Sequence, residues 1–252
     1  MENRHDILSA GAPLYMRLLF KEQPAKEIPK ELRDYIHEYP LLKIEDYICK
    51  DNSDIDEINR GQMWDCPDSE KILAECKYRI VAYDYPREDM DFADRANMLM
   101  IYLDKLLEIY QNCEAVYFEN TGKLFTREQI VNSKFDDKTK FINLVVNVRY
   151  FALPDSDEMI IDTIGMNILY LPDVQYHFRK MNPNYIFAHA YNMLGYIFIN
   201  RNSIRTGETV DGISGEYIDG NVQWTCRFED SLLKPLRPVV DVDMGEFAAG
   251  KR

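Results

Sequence analysis

Hydrophobic positions in the first half of the chain form short apolar runs that alternate with segments of helical period. The clearest helical segment is 91–112, where Phe92, Leu99 and Leu106 belong to one apolar stripe of residues three and four apart. Apolar runs of strand length lie on either side of it. We therefore predict strands at 13–20, 41–48, 78–85 and 114–119, and helices at 28–39 and 91–112.

The order of these elements is strand, helix, strand, strand, helix, strand. This order is typical of the ferredoxin-like split β-α-β arrangement, which we predict for the N-terminal half. The segment 49–70 interrupts it, because it is polar, acidic and punctuated by Gly61 and Pro67. We interpret this segment as an insertion or a long loop, since it is longer than the fold requires.

The second half of the chain begins with a helix-start signal. In TREQ, 126–129, the side chains of Thr126 and Gln129 can each bond the other's backbone amide, which predicts a short helix to about Ser133. A longer helix is predicted at 182–200, with Asn182 as its cap and Pro183 at its first position. We predict strands at 141–153, 173–179, 222–228 and 237–244, a hairpin at 206–221, and a strand, helix or turn at 158–171.

Together the elements predict an α+β fold with mostly antiparallel sheets and with helices packed on one face. We divide the chain into a ferredoxin-like α+β half, 1–122, and a second α+β half, 123–252. The pattern leaves open whether the halves are separate domains or share one continuous core.

Composition and charge narrow the class of protein. Hydrophobic residues make up 46% of the 252 residues and aromatic residues 12%, which is typical of a globular protein. The net charge of −13 repels nucleic acid and anionic lipid, and an acidic surface suits solubility, which is the commoner reason for it, or a basic protein partner. The chain lacks an apolar run of the ~18 residues that a spanning helix needs, and it lacks a signal-peptide core. We therefore expect a soluble cytoplasmic protein.

The sequence contains no strong catalytic or cofactor motif. Its five cysteines include no C-x-x-C pair, so we expect buried reduced thiols rather than disulfides or a zinc finger. It has no G-x-S-x-G, dinucleotide or Walker motif, so no cofactor is implied by motif. The acidic stretch DNSDIDE, 51–57, lacks the glycine and the distal glutamate of a calcium loop, and we interpret it as solvated.

Several stretches resemble a family of proteins without a known activity. They are EAVYFENTGKLF, RYFALPDSDEMIIDTIGMNILYLPDVQYHF, YIFINRNSIRTGETVDG and LRPVVDVDMGEFAAGKR. They resemble the bacterial family named domain of unknown function 4261, over roughly residues 78–252. The resemblance implies a compact bacterial cytoplasmic domain, and it carries over no functional residue.

The stretch DVQYHFR, 173–179, alternates polar and apolar residues. As a strand it places Asp173, Gln175 and His177 on one face, where they can act with His189 of the following helix. A carboxylate that orients an imidazole favours acid–base catalysis, and one Asp with two His suits a divalent metal. The alternative is the polar face of a half-exposed strand, with solvated or structural histidines.

Two further groups are candidate ligand-binding residues. Asp162 and Thr163, in IIDTIG, can contact a ligand or fix a turn by bonding local backbone amides. Arg227 and Glu229 share one face of a predicted strand, and with Arg237 they can form an anion receptor. The alternative for this second group is an internal pair of an arginine with a carboxylate.

These observations lead to two main hypotheses of function, beside a third one in which the chain is a purely architectural subunit of a homo-oligomer. The first is a non-enzymatic protein-binding module with an acidic surface, supported by the charge and by the 17 tyrosines, a residue type that suits interfaces. The second is a metal-dependent or acid–base enzyme centred on Asp173, His177 and His189, which requires these side chains to converge. The sequence leaves the presence of catalysis and the oligomeric state open.

Overall fold

The computed structural model describes residues 11–250, which divide into two compact units. The first unit ends at Val145 and the second begins at Val146. The predicted boundary after residue 122 falls in the turn between the paired strands 115–118 and 123–126. The first unit continues beyond this turn to Val145. Each unit contains helices and one mostly antiparallel sheet, which confirms the α+β class. Among the described residues, the helices are too short or too polar to cross a membrane.

The first unit is built on a six-stranded sheet in which every strand pairing is antiparallel. Its strands are β1 Tyr15–Phe20, β2 Leu42–Ile44, β3 Ile48–Cys49, β4 Tyr78–Asp84, β5 Ala115–Phe118 and β6 Lys123–Thr126. Their order across the sheet is β2-β4-β1-β5-β6, and β3 also pairs with β4. The helices of this unit are α1 Lys30–Glu38, α2 Glu57–Arg60, α3 Ser69–Glu75, α4 Phe92–Ile109, α5 Arg127–Val131 and α6 Lys140–Val145.

Helix α4 covers one face of this sheet. Its predicted stripe is buried from Ala96 onward, including Leu99 and Leu106, and Phe92 at its start is half-buried. The ring of Tyr110, which directly follows α4, packs edge-to-face on Phe20 of β1 with 5.8 Å between centroids. Helix α4 therefore lies on the sheet face to which Phe20 points.

The segment 49–70, predicted as an insertion or a long loop, is an insertion that is partly folded onto the sheet. It contains α2 and the start of α3. Its apolar residues form a cluster with Leu19 of β1, whose side chain points to the opposite sheet face from that of its neighbour Phe20. They therefore pack on the sheet face opposite α4. The other members of the cluster are Ile55, Met63, Cys66, Ile72, Leu73, Cys76, Ala115, Tyr117 and Leu124. Helices therefore cover both faces of this sheet, whereas the sequence predicted one.

The predicted strand 141–153 begins as a helix. Helix α6 occupies its first part, and the strand β7, Asn147–Ala152, occupies the rest. In α6 the side chains of Phe141, Ile142, Leu144 and Val145 are all buried. An apolar run that is buried on every side has no periodicity with which to distinguish a helix from a strand.

The second unit is a six-stranded sheet with one long helix. Its strands are β7, β8 Glu158–Ile164, β9 Asp173–Arg179, β10 Thr209–Ser214, β11 Tyr217–Asp230 and β12 Pro238–Asp243. The order is β10-β11-β12-β9-β8-β7, and only the β12–β9 pairing is parallel. Helix α7, Pro183–Ile199, packs against β7, β8 and β9. The ambiguous segment 158–171 is β8 followed by a 3-10 turn at Met166–Leu169.

The capping signals of the sequence are confirmed in both units. The sequence offers Asp89 or Asp91 as the cap of α4, and in the structure Asp91 caps it with its carboxylate. At α5 the side chains of Thr126 and Gln129 form both bonds of the capping box, at 3.1 and 2.8 Å. At α7, Asn182 accepts a hydrogen bond as the cap and Pro183 takes the first position.

A two-stranded arm extends from the sheet of the second unit. Strand β12 pairs with β11 only over residues 225–230, so within the described chain residues 217–224 have β10 as their strand partner. We call β10 together with residues 217–224 the hairpin arm. Gly215 takes a φ of +63° in its turn, a conformation that glycine adopts without strain.

Candidate functional site

The polar face of β9 is buried within the second unit. Asp173 and Gln175 have no exposed surface, and His177 is half-buried. The segment 231–237 covers this face, since the amide of Leu232 donates to Oε1 of Gln175 at 2.7 Å and Arg237 reaches Asp173. The strand predicted from DVQYHFR is therefore correct, but its polar face is not a solvated one.

Asp173 is an acceptor for four internal donors. Its Oδ1 accepts from Oγ1 of Thr163 at 3.0 Å and from the amide of Met166 at 3.2 Å. Its Oδ2 accepts from Nε of Arg237 at 3.0 Å and from the amide of Gly165 at 3.4 Å. Burial raises the pKa of Asp173, and the four donors act against this shift by favouring the carboxylate form. Because they fill its acceptor positions, Asp173 serves to fix the turn after β8.

Arg237 uses its guanidinium entirely within the second unit. Besides Asp173, it donates from Nη2 to Oδ2 of Asp162 at 2.6 Å and to the carbonyl of Thr163. Its Nη1 donates to two carbonyls of the segment 231–237, at 2.9 and 3.4 Å. Burial opposes the charge of Arg237, but Asp173 and Asp162 outweigh it and raise the pKa of the guanidinium. A guanidinium has five N–H groups, and all five are engaged here, so none remains for an external anion.

A second buried arginine, which the sequence analysis missed, completes this cluster. Arg149 of β7 donates from Nε and Nη2 to the two carboxylate oxygens of Asp162, at 2.9 and 2.6 Å. We call Arg149, Asp162, Asp173 and Arg237 the buried ion network, in which two positive and two negative charges balance. The signal for Arg149 was a lone charged residue within the apolar stretch LVVNVRYF.

His177 makes contacts that are separate from this network. Its Nε2 lies 2.8 Å from Oε2 of Glu158 on the neighbouring strand β8. A Cβ on Gly250 would lie 2.6 Å from Nδ1 of His177, so the backbone of Gly250 packs directly on the imidazole. The amide of Ala249 donates to the carbonyl of His177 at 2.9 Å. His177 thus joins β9 to β8 and to residues 249–250.

His189 lies on the opposite face of the sheet from His177. Its Nδ1 is 2.7 Å from the hydroxyl of Tyr176, and its Nε2 is 2.8 Å from the carbonyl oxygen of Asp211. Because Tyr176 and His177 are consecutive in β9, their side chains point to opposite faces. The predicted catalytic residues Asp173, His177 and His189 therefore do not converge. Burial lowers the pKa of His189, and the carbonyl of Asp211 acts against this shift.

The remaining predicted residues do not assemble with Arg237 into a receptor. Nη2 of Arg227 pairs with Oδ2 of Asp243 at 3.2 Å, on the neighbouring strand β12. Glu229 is exposed. Within residues 11–250, the structure contains no group of three or more His, Cys, Asp or Glu side chains that can hold a metal ion.

A groove separates α7 from the hairpin arm. It is a cavity of about 320 Å³, which we call the α7–hairpin groove, and it is lined by His189, Asn192, Met193, Tyr196, Thr209, Val210, Asp211 and Ile218. Large apolar side chains stand exposed at its edge: Tyr196 is 47% exposed and Ile218 46%. Ile199, one helical turn beyond Tyr196, is 65% exposed. Exposed apolar side chains around a groove are typical of a binding surface.

A larger cavity of about 500 Å³ lies in the first unit, between α4 and α5. Its charged lining is engaged in internal contacts. Lys140 pairs with Asp104 at 2.5 Å, and Arg127 donates to the carbonyl of Leu107 at the end of α4. These pairs stabilise the unit. The lining combines acidic and basic side chains, so it does not favour a ligand of either charge.

Comparison with known proteins finds a similarity for part of the second unit. Residues 162–243 match the sequence profile of a family described as Domain of unknown function (DUF4261). This match confirms the resemblance inferred from the sequence, over a shorter range than 78–252. Neither the curated proteins nor the solved structures contain a match to the chain. The matched range includes the hairpin arm, α7 and three of the four members of the buried ion network, and Arg149 lies outside it.

Proposed function

We propose that this protein is a non-enzymatic protein-binding module and that the α7–hairpin groove receives a segment of its partner. The observation that carries the proposal is the exposure of Tyr196, Ile199 and Ile218 around a groove inside the family-matched range. Tyrosine and large aliphatic side chains bury much apolar area when a partner covers them.

The charge of the groove walls defines the chemistry of the partner. Residues 209–224 contain three acidic side chains, Asp211, Glu216 and Asp219, and no basic one. Helix α7, the other wall, contains no Lys, Arg, Asp or Glu. A segment that combines Lys or Arg with a large apolar side chain complements these walls, whereas the phosphates of nucleic acid are repelled.

The chemistry of the lining favours binding over catalysis. His189 has both ring nitrogens engaged by Tyr176 and Asp211, and the remaining lining offers amide, hydroxyl, thioether and apolar contact surface. The alternative enzyme hypothesis needs Asp173, His177 and His189 in one site, and their separation on two sheet faces removes its support.

Selection of peptides on the purified full-length protein tests the proposed function. Twelve-residue peptides displayed on phage are selected at pH 8, resynthesised with a fluorescent label and titrated by anisotropy. We expect enriched sequences that combine Lys or Arg with a large apolar residue. Tyr196→Ser and Ile218→Ser are each expected to weaken binding about tenfold, which corresponds to about 1.4 kcal/mol.

Tyr39→Ser is the matched control, because Tyr39 is exposed to a similar degree, 45%, but lies in the first unit. We expect it to leave peptide affinity within about twofold, as for a residue outside the contact. Absence of any enriched peptide, or equal losses in Tyr39→Ser and Tyr196→Ser, would contradict the proposed groove.

We also propose that the first unit is a ferredoxin-like domain with additions. Strands β1 and β2 are joined through α1, and β4 lies between them in the sheet; β4 and β5 are joined through α4, and β1 lies between them. Each pair of helix-linked strands is thus split by another strand, as the split β-α-β arrangement requires. Strand β6 and the segment 49–70 are the additions. Superposition of an experimental structure on ferredoxin-like domains tests this assignment.

The proposed place of action is the bacterial cytoplasm. All five cysteines lie within residues 11–250 and are free thiols, four of them buried. Free thiols persist in a reducing compartment, whereas oxidising compartments favour disulfides. Fractionation of the cells that produce the protein, followed by immunoblotting, tests this proposal, and recovery from the periplasm or the medium would contradict it.

A further inference from the structure

Strand β10 ends its sheet on one side, and within residues 11–250 its one strand neighbour is β11. In an antiparallel pair, alternate residues direct both backbone groups to the neighbouring strand, and the residues between them direct theirs outward. The amide of Cys226 donates to the carbonyl of Glu208 at 2.8 Å, so Glu208 and Val210 bond inward. Thr209 and Asp211 therefore present their N–H and C=O groups along the outer edge of β10.

Helix α7 lies alongside this outer edge. Nε2 of His189 donates to the carbonyl oxygen of Asp211 at 2.8 Å, which agrees with the outward direction of that carbonyl. Met193 and Tyr196 follow His189 by one and two helical turns, and they line the α7–hairpin groove together with Thr209. The outer edge of β10 is therefore one wall of the groove, and α7 is the other.

Three backbone groups of this edge are available to a ligand. Thr209 and Asp211 are both exposed, and their side chains bond to Gln223 within the arm, at 2.6 and 2.9 Å. Of the outward backbone groups, the carbonyl of Asp211 is engaged by His189. The N–H and C=O of Thr209 and the N–H of Asp211 remain, and such groups on a strand edge form a template for another strand.

The side-chain directions of β10 define the sequence pattern of an added strand. Val210 pairs with Trp224, whose ring lies 5.0 Å from that of His189, so Val210 points to the sheet side on which α7 lies. Asp211 points to the other side. In a strand added beside β10, every second side chain meets α7 and the exposed ring of Tyr196, and the side chains between them lie beside the carboxylate of Asp211.

We propose that the partner segment in the α7–hairpin groove binds as an extended strand added to the outer edge of β10. Its large apolar residues occupy alternate positions toward α7, and Lys or Arg lies between them beside Asp211. This inference rests on the proposed function of the groove. Main-chain hydrogen bonds supply affinity in such strand addition, and the alternate side chains supply specificity. A basic residue opposite Asp211 adds a cross-strand pair of opposite charges.

The selected peptides give the first test of this binding mode. Strand addition is expected to enrich large apolar residues two positions apart with Lys or Arg between them. A helical segment in the groove would instead show apolar residues three and four positions apart, and it would leave the backbone groups of Thr209 unused. Enrichment of the helical spacing would overturn the inference.

A series of peptides with single N-methyl groups measures the direction of each peptide N–H. An N-methyl group removes the donor and places bulk at the strand edge. At positions whose N–H faces β10 we expect a loss of affinity of about tenfold, and at the positions between them no more than about twofold. Losses without this period of two, measured by anisotropy on the native full-length protein, would overturn the strand addition.

Thr209→Pro removes the outward N–H from the protein side. Proline is tolerated at the first residue of an edge strand, and Thr209 holds that position in β10. We expect Thr209→Pro to weaken peptide binding about tenfold, because it removes one hydrogen bond and covers the edge with its ring. Thr209→Ala is the matched control, since it loses the same hydroxyl and keeps the N–H. Equal affinities of the two variants would contradict the inference.

Hydrogen exchange, followed by NMR on the native protein, needs no variant to fold. Saturating peptide is expected to slow exchange of the Thr209 and Asp211 amides about tenfold or more, and to change that of Val210 less, because Val210 already bonds to β11. Unprotected Thr209 and Asp211 amides in the saturated complex would overturn the inference.

The same experiments separate this inference from the proposed function. A peptide that loses affinity in Tyr196→Ser, but shows neither the period of two nor protection of Thr209, would overturn the strand addition alone. The groove would then remain the binding site. If no peptide is selected, both the groove and the strand addition are contradicted.

Discussion

Nε of Arg237 donates a hydrogen bond to Oδ2 of Asp173 at 3.0 Å, between side chains 64 residues apart in the sequence. This contact attaches the segment 231–237 to β9 on the sheet face that α7 leaves uncovered. The buried ion network, in which the charges balance, thus lies on a sheet face that is usually covered by apolar side chains. Such a network stabilises a fold only while each charge keeps its partner.

Removal of Arg237 is therefore expected to be severe. Arg237→Met leaves Asp173 and Asp162 with fewer donors in a buried site, and we expect a loss of about 3–5 kcal/mol in the free energy of unfolding. Urea denaturation followed by the emission of Trp224 in the Trp64→Phe background measures it. Arg227→Met is the control, since the partly exposed pair of Arg227 with Asp243 is expected to contribute less than about 1 kcal/mol. Equal small losses in both variants would show that the network is dispensable.

The segment 49–70 is expected to contribute to stability as a part of the core. Ile55→Ala, in the cluster that this segment forms on the sheet, should lower the free energy of unfolding by about 2–5 kcal/mol. Ile58→Ala changes an exposed residue of α2 and should cost no more than about 0.5 kcal/mol. Urea denaturation followed by far-UV circular dichroism compares the two. A loss in Ile55→Ala no larger than that in Ile58→Ala would contradict the packing.

The sequence predicted the regular elements well where periodicity and caps agree. Helix α7 and strand β9 lie where the pattern placed them, because Asn182 and Pro183 define the start of the helix and the alternation in DVQYHFR defines the strand. The segment 49–70 was interpreted as an insertion or a long loop because it is polar, acidic and punctuated by Gly61 and Pro67, with only scattered apolar residues. Their burial depends on the sheet residues that they contact, which are far away in the sequence.

The candidate site was harder to predict because alternation does not tell which face is buried. The polar face of β9 is covered by the segment 231–237. This segment is held in place by the contacts of Arg237 with Asp173 and of Leu232 with Gln175, which join residues far apart in the sequence. Asp162, Thr163 and Arg237 were predicted as ligand-binding residues and Asp173 as a catalytic residue, in separate groups, but in the structure these side chains bond to one another inside the second unit. The α7–hairpin groove has no motif, since it arises from the way the hairpin arm lies beside α7.

Asp54 is expected to make the stability of the first unit depend on pH in strongly acidic solution. Burial opposes its ionisation, but hydrogen bonds and charge from Arg17 and Arg79 outweigh burial and lower the pKa of Asp54 from 3.8 to about 2. A lowered carboxyl pKa adds stability that is fully present above 3.8 and is lost as the pH falls through about 2.

The urea midpoints of the native protein and of Asp54→Asn, measured from pH 5 to pH 2, test this expectation. The native protein should be more stable at pH 5, and the difference should shrink as the pH approaches 2. A difference that is constant over this range would mean that the ionised carboxylate of Asp54 does not stabilise the docking of the segment 49–70.

Gly212 in the hairpin arm is expected to tolerate no side chain. A Cβ there would lie 2.7 Å from the Trp224 ring and 2.7 Å from Cγ1 of Val222, so Gly212→Ala must displace the indole. We expect a loss of about 1–3 kcal/mol and a red shift of the Trp224 emission. Gly195→Ala is the matched control: nothing lies within 4 Å of its Cβ in the interior of α7, and it should stabilise by about 0.5–1 kcal/mol. An unshifted emission in Gly212→Ala would contradict the packing of the arm.

The five thiols are expected to differ sharply in reactivity. Cys49 is exposed, whereas burial raises the pKa of Cys66, raises that of Cys76 to about 11, and raises those of Cys113 and Cys226 to about 12. The thiolate is the reactive form, so an aromatic disulfide reagent at pH 8 should titrate one thiol rapidly in the native protein and all five in denaturant. Cys49→Ser should remove the rapid phase. A second rapid thiol in the native protein would show that one of the buried cysteines becomes accessible through local opening of its unit.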